Sequence, residues 1–125
     1  MNPVLLSAPV LGNPAEGAIF AGRDADIVFG WEATGDLGPE EYYVLNVLFP
    51  HDNAEWHDMQ WTKETSRAIE RYIYDNASLP GTLNWYVVVM HKTGTAPDGR
   101  YVGTELGPRS EVRTFTWHPA GGKGS

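Results

Sequence analysis

The sequence predicts an all-β chain, a single sandwich of about seven strands in two antiparallel sheets. Three observations carry that prediction. After a Leu79-Pro80-Gly81 turn, the run from Thr82 to Met90 is dominated by aromatic and β-branched residues. It is apolar at both parities, with Leu83, Trp85, Val87 and Val89 on one and Tyr86, Val88 and Met90 on the other. Such a run is a central strand that needs cover on each face. Two other stretches alternate with a period of two, Asp26 to Glu32 and Glu41 to Phe49, the pattern of strands with a core face. Finally, 14 glycines and 9 prolines accompany 5 tryptophans and 6 tyrosines, a mixture of turn residues and large flat side chains that suits short strands. At 125 residues and 42% hydrophobic content the chain supports one domain with one core.

Along the chain, Met1 to Gly12 holds Val4, Leu5 and Leu6 between Pro3 and Pro9, which permits an edge segment and forbids a central strand. The sandwich is expected over residues 13–118. Asn13 to Gly17 forms a turn, Ala18 to Phe20 a short strand, and Ala21 to Asp24 another turn. In the next strand Ile27, Phe29 and Trp31 share the core face. Gly35 to Pro39 then turns the chain into the Glu41 to Phe49 strand, where Tyr43, Leu45, Val47 and Phe49 face one way and Tyr42, Val44, Asn46 and Leu48 the other. Pro50 ends that strand because it cannot donate to a ladder. A polar loop over Pro50 to Glu55 leads into Trp56 to Lys63, where Trp56 and Trp61 have opposite parity, one indole on each face.

The segment from Glu64 to Asn76 reads as a short strand followed by one helical turn, with Ala68, Ile69, Tyr72 and Ile73 at helical spacing. Beyond the central strand, Lys92 to Pro108 is glycine-rich, and its Asp98-Gly99 pair predicts a protruding hairpin. Ser110 to Trp117 closes the sheet, and the opposite parity of Val112 and Phe115 requires an outward Val112 or a bulge. Residues 119–125, Pro-Ala-Gly-Gly-Lys-Gly-Ser, read as a flexible tail.

A formal net charge of −7 repels phosphate backbones and anionic lipid, which argues against nucleic acid and membrane surfaces as partners. No stretch reaches the roughly 18 apolar residues of a spanning helix. With no cysteine there is no disulfide and no thiolate metal site. The start lacks the basic residues and long apolar run of a signal peptide, which leaves a cytosolic protein or an excised piece of a larger exported one.

These residues resemble the fibronectin type III-like and immunoglobulin-like modules of bacterial envelope and secreted proteins. The likeness is carried by Asn13 to Phe20, Ile27 to Trp31, Tyr43 to Val47, Leu79 to Thr82 ahead of Trp85 to Val89, and Ser110 to Trp117. It covers Pro14 to Trp117. The resemblance implies a non-catalytic spacer, adhesion or protein-interaction unit within a larger extracellular or envelope protein. One departure stands out. Where such modules carry a tyrosine that ties the corner before the sixth strand, this sequence has Leu83 or Asn84, so the corner must be held by apolar packing, by Asn84 or by Tyr86.

The densest polar cluster, His51 to Asp58, offers two imidazoles and three carboxylates, but it lacks calcium-loop spacing or a paired-histidine helix, and crowding in a solvated turn accounts for it. None of the serines sits in a Gly-x-Ser-x-Gly elbow, and Glu40 and Glu41 point to opposite faces of a strand. The glycines between 94 and 107 lack the spacing and following helix of a phosphate cradle. Neither enzyme activity nor a cofactor or metal is expected. The expected binding surface is the outer face carrying Tyr42, Val44, Leu48, Tyr86, Val88 and Met90, an apolar patch that a loop, a protein partner or a second copy must cover. The alternative is a glycan site built on Trp56 or Trp61 beside Asp58 or Gln60.

Overall fold

The computed structural model describes residues 8–119. The expected edge patch Val4 to Leu6 and the tail from Ala120 onward lie outside the described residues. Among the described residues, nine strands form two sheets, accompanied by one short helix. The smaller sheet has the order β1-β3-β6, made of β1 (Leu11–Asn13), β3 (Val28–Trp31) and β6 (Ser66–Ala68). In the larger, the order is β2-β9-β7-β4-β5, from β2 (Ala18–Ala21), β9 (Arg113–His118), β7 (Gly81–Thr95), β4 (Glu41–His51) and β5 (Ala54–Thr62). A further strand, β8 (Tyr101–Glu105), pairs with the far half of β7. The helix α1 (Arg71–Asn76) joins β6 to β7. This is an all-β, immunoglobulin-like sandwich of the fibronectin type III-like kind.

The count exceeds the expected seven because two strands are divided. The first is broken between Asn13 and Ala18, so β1 joins one sheet and β2 the other; the last is broken between Leu106 and Val112, giving β8 and β9. The sheets are also not wholly antiparallel, since β2 runs parallel to β9 with Ala18 opposite Phe115. Val112 precedes β9 and faces outward, so no bulge is needed there.

β7 is the centre of the larger sheet, as its two apolar parities require. It pairs antiparallel with β4 from Glu41↔His91 to Leu48↔Asn84, and its other side is shared between β9 and β8. Its inner residues Leu83, Trp85, Val87 and Val89 meet Tyr43, Leu45, Val47 and Phe49 of β4, Phe29 and Trp31 of β3, and Phe115 and Trp117 of β9 in one core. The expected core residues all lie in it, and it also takes in Leu11, Ile69 and Ile73. Phe29 packs on Trp85 at 4.8 Å between ring centres. Trp117 is fully buried, with its indole N–H donating to Gly22 O at 2.8 Å.

One corner departs from the familiar tyrosine tie. At the entry to β7, Leu83 is buried in the core and does the work of apolar packing, while Tyr86 lies on the opposite face. Gly81 is required there by close approach, because a Cβ would stand 2.5 Å from Ser78 O. A tyrosine does tie a loop elsewhere: the Tyr43 hydroxyl accepts the Thr34 backbone N–H at 3.0 Å.

Candidate functional site

The outer face of the larger sheet is built by cross-strand pairs. Tyr42 stands opposite Met90, Val44 opposite Val88, and Asn46 opposite Tyr86, while on the other side Val44 faces Trp61 and Leu48 faces His57. The expected neighbours are therefore brought together. They are not bare, however. Val44 is 0% exposed and Val88 2%, Tyr86 and Met90 are buried as well, and Leu48 and Trp61 pack against them as a second apolar cluster. Of the covers expected for this patch, a loop, a partner or a second copy, it is the chain itself that buries Val44, Tyr86, Val88 and Met90.

Beside this cluster, the β7–β8 hairpin packs on the same face through Trp61 and Tyr42. Ala96 to Arg100 close its turn, with the Ala96 N–H donating to Arg100 O and Gly99 at φ 92°. A register shift between Lys92 and Gly94 bends the hairpin, and Gly103 lets β8 approach His91 so closely that a Cβ would sit 2.0 Å from His91 O. The hairpin brings Tyr101 over the outer face, edge-on to Tyr42 at 5.5 Å and to Trp61 at 5.7 Å. Lys63 and Lys92 place their ammonium groups 4.2 and 3.9 Å from the ring centres of Tyr42 and Tyr101. Beyond β8, Arg109 lies over the Tyr86 ring at 5.0 Å and pairs with Glu105 at 2.7 Å. The buried Asn46 within this apolar face is satisfied: its amide donates to Val44 O at 3.1 Å, and its Oδ1 lies 2.7 Å from His57 Nε2.

An open cleft of about 510 Å³ lies beside this face, lined by His57, Asp58, Met59 and Trp61 of β5, Tyr72 of α1, and Arg100 and Tyr101 of the hairpin. Asp58 is the polar centre of its floor. Only 8% exposed, it accepts a short hydrogen bond from the Tyr72 hydroxyl and a longer one, at 3.1 Å, from the Gln60 amide. Burial, with the Asp58 hydrogen bond second, holds the Tyr72 hydroxyl well above its ordinary value of 10.0. Trp56 stands apart from the cleft, stacked on His51 at 3.7 Å and edge-on to Phe49 at 6.0 Å. Its parity is opposite to that of Trp61, as expected. The His51 to Asp58 segment is a tight hairpin instead of a long polar loop, with β4 reaching His51 and β5 beginning at Ala54. Among the described residues, no three His, Cys, Asp or Glu side chains converge as a metal site would need.

Met59, Tyr72, Arg100 and Tyr101 are the cleft residues that the sequence reading did not single out. The Asp98-Gly99 signal located the hairpin, but nothing local in Tyr101 reveals that it folds back onto Trp61.

No family model matches the chain, and no curated protein matches it. Among solved structures, the solution structure of the fibronectin type-III domain of human fibronectin type III domain containing protein 3 matches over 100% of this chain and 97% of its own, with 13% identity and a TM-score of 0.43. The fold assignment rests on strand order and register, and no functional property is carried over from that domain.

Proposed function

We propose that this domain is a non-catalytic protein-interaction module and that its contact surface is the β5 edge with the hairpin and helix beside it. The observation that carries this reading is where the large exposed apolar side chains sit. Trp56, Met59, Tyr72, Tyr101 and Val102 belong to β5, α1 and β8, and Met59, Tyr72 and Tyr101 share one cleft; Val10, Ile19, Val28 and Val112 are distributed over other parts of the chain. Apolar groups gathered in one rimmed concavity suit recognition better than scattered ones do. The resemblance of the sequence to envelope and secreted modules supports a place within a larger extracellular or envelope protein, as a spacer or adhesion unit. Such a gene encodes an export signal or membrane segment and neighbouring domains.

The test is affinity capture with the domain as bait, comparing wild type with Met59→Glu, Tyr101→Glu and the distant control Ile19→Glu, each checked for an unchanged melting profile. Proteins retained by wild type and the control but lost from both cleft variants support the reading. Equal capture by all four would end it. Glycan-array binding that Trp56→Ala or Trp61→Ala abolishes would replace it with a carbohydrate-binding module. The stacking of Trp56 on His51 and the prior engagement of Asp58 by Tyr72 and Gln60 weigh against that alternative.

A further inference from the structure

The edges of the two sheets are unequally protected. An edge strand presents a row of unpaired backbone N–H and C=O groups, and proteins blunt such edges by keeping them short, bulged, or supplied with lysine or proline. β1 and β6 have 3 residues each and β2 has 4, while β8 has 5 and is bent by a register shift. β5 is different. It has 9 residues, pairs with β4 without a break from Tyr43↔Thr62 to His51↔Ala54, and contains no Lys, Arg or Pro. Among the described residues its other side has no strand, and no turn or loop backbone hydrogen bond reaches residues 54–62.

The cleft lies over this free edge. Its lining includes His57, Met59 and Trp61 from one parity of β5 and Asp58 from the other, so it spans both faces of the strand. Tyr72 forms one wall and Tyr101 the other. An inward-pointing charge on an edge strand usually guards it, because pairing would strip the charge of water. Asp58 is already only 8% exposed and hydrogen-bonded, so most of that desolvation has occurred on folding. None of the ion pairs among the described residues involves it. The basic residue of the cleft lining, Arg100, is paired with Asp98 at 2.7 Å, so Asp58 is left without a cationic partner among the described residues. A second copy of β5 would bring another Asp58 and another net charge of −7, which repels.

We propose that β5 accepts an extended segment of a partner protein as an added strand, selected by a Lys or Arg that reaches Asp58. Because side chains alternate along a strand, the residues on either side of that cation project to the other face, where Met59, Trp61 and Tyr101 favour aromatic or long aliphatic groups. The segment therefore reads apolar, basic, apolar. Main-chain hydrogen bonds to the free edge supply affinity, and Asp58 supplies specificity. This inference rests on the protein-binding reading above and names the partner's chemistry.

The probe is a displayed library of random peptides of about twelve residues, enough to span the edge. Selected peptides are expected to share the apolar-basic-apolar pattern and to slow amide exchange in β5. N-methylation at alternate backbone positions should weaken binding by about tenfold or more, and at the intervening positions should leave it unchanged. Asp58→Asn, checked for folding, should lose the preference for the basic residue over alanine. An empty selection, peptides without a basic residue, equal tolerance of methylation at both sets of positions, or unchanged exchange in β5 would each overturn the proposal. So would protection of β5 that deepens with domain concentration alone, since that occupant is a second copy. The capture experiment separates the two readings. Proteins lost with Met59→Glu beside an empty peptide selection remove strand addition and leave the protein-binding module, whereas the failure of both removes both.

Discussion

Trp85 shows what one side chain contributes to this core. It is fully buried against Phe29, and its indole N–H has no hydrogen-bond partner among the described residues. Trp85→Ala should therefore cost about 3–5 kcal/mol through the cavity it leaves, whereas Trp85→Phe forfeits only part of the packing because no hydrogen bond is lost. Urea unfolding of the two variants measures the difference. Tyr72 makes a different kind of prediction, in pH. Its hydroxyl is held above its ordinary value of 10.0 by burial and by donation to Asp58, so the folded state keeps a proton that the unfolded chain releases. The resulting stability is complete below the unfolded value and is lost as pH rises past it. Stability should fall above about pH 10, and Tyr72→Phe should show a shallower fall on the same denaturation series.

The β7–β8 hairpin is the element on which the outer face depends. Its bend requires Gly103, since a Cβ there would collide with His91 O at 2.0 Å. Gly103→Ala should destabilise the domain by about 1–3 kcal/mol and lift Tyr101 away from Tyr42 and Trp61. Hydrogen exchange would read this as faster exchange in β8 and at Val88 and Met90, with β3 unchanged. The divided strands make the same point about elements. Alternation predicts that a stretch is extended, but the sheet it joins is set by the partners within reach. Thus β1 pairs with β3 and β2 with β9, although they are four residues apart in the chain.

For the molecule as a whole, covering the outer face from within changes what a polar substitution there does. Val88 is 2% exposed and opposite Val44, so Val88→Ser removes apolar burial and places a hydroxyl in an apolar cluster. It should lower stability by about 2–4 kcal/mol without changing oligomeric state. Sedimentation of wild type and variant at matched concentration, together with their melting profiles, checks both parts. A shift from dimer to monomer on substitution would restore Val88 as an interface residue.

The sequence by itself determined the all-β class, the central position of β7 and the inner faces of β3, β4 and β7. These follow from local periodicity, and a period of two commits each side chain to a face whatever the strand's neighbours are. It also placed Trp56 and Trp61 on opposite faces of β5. Only the tertiary structure decided that Tyr101 returns over Tyr42 and Trp61, that Tyr72 meets Asp58, and that Leu83 packs the corner without a tyrosine. Those contacts join residues 14 to 59 positions apart, and their geometry depends on a bend at Gly94 and Gly103 and on where a six-residue helix rests. Pattern within a strand records which way a side chain points, but the object it meets there is fixed by the packing of distant segments.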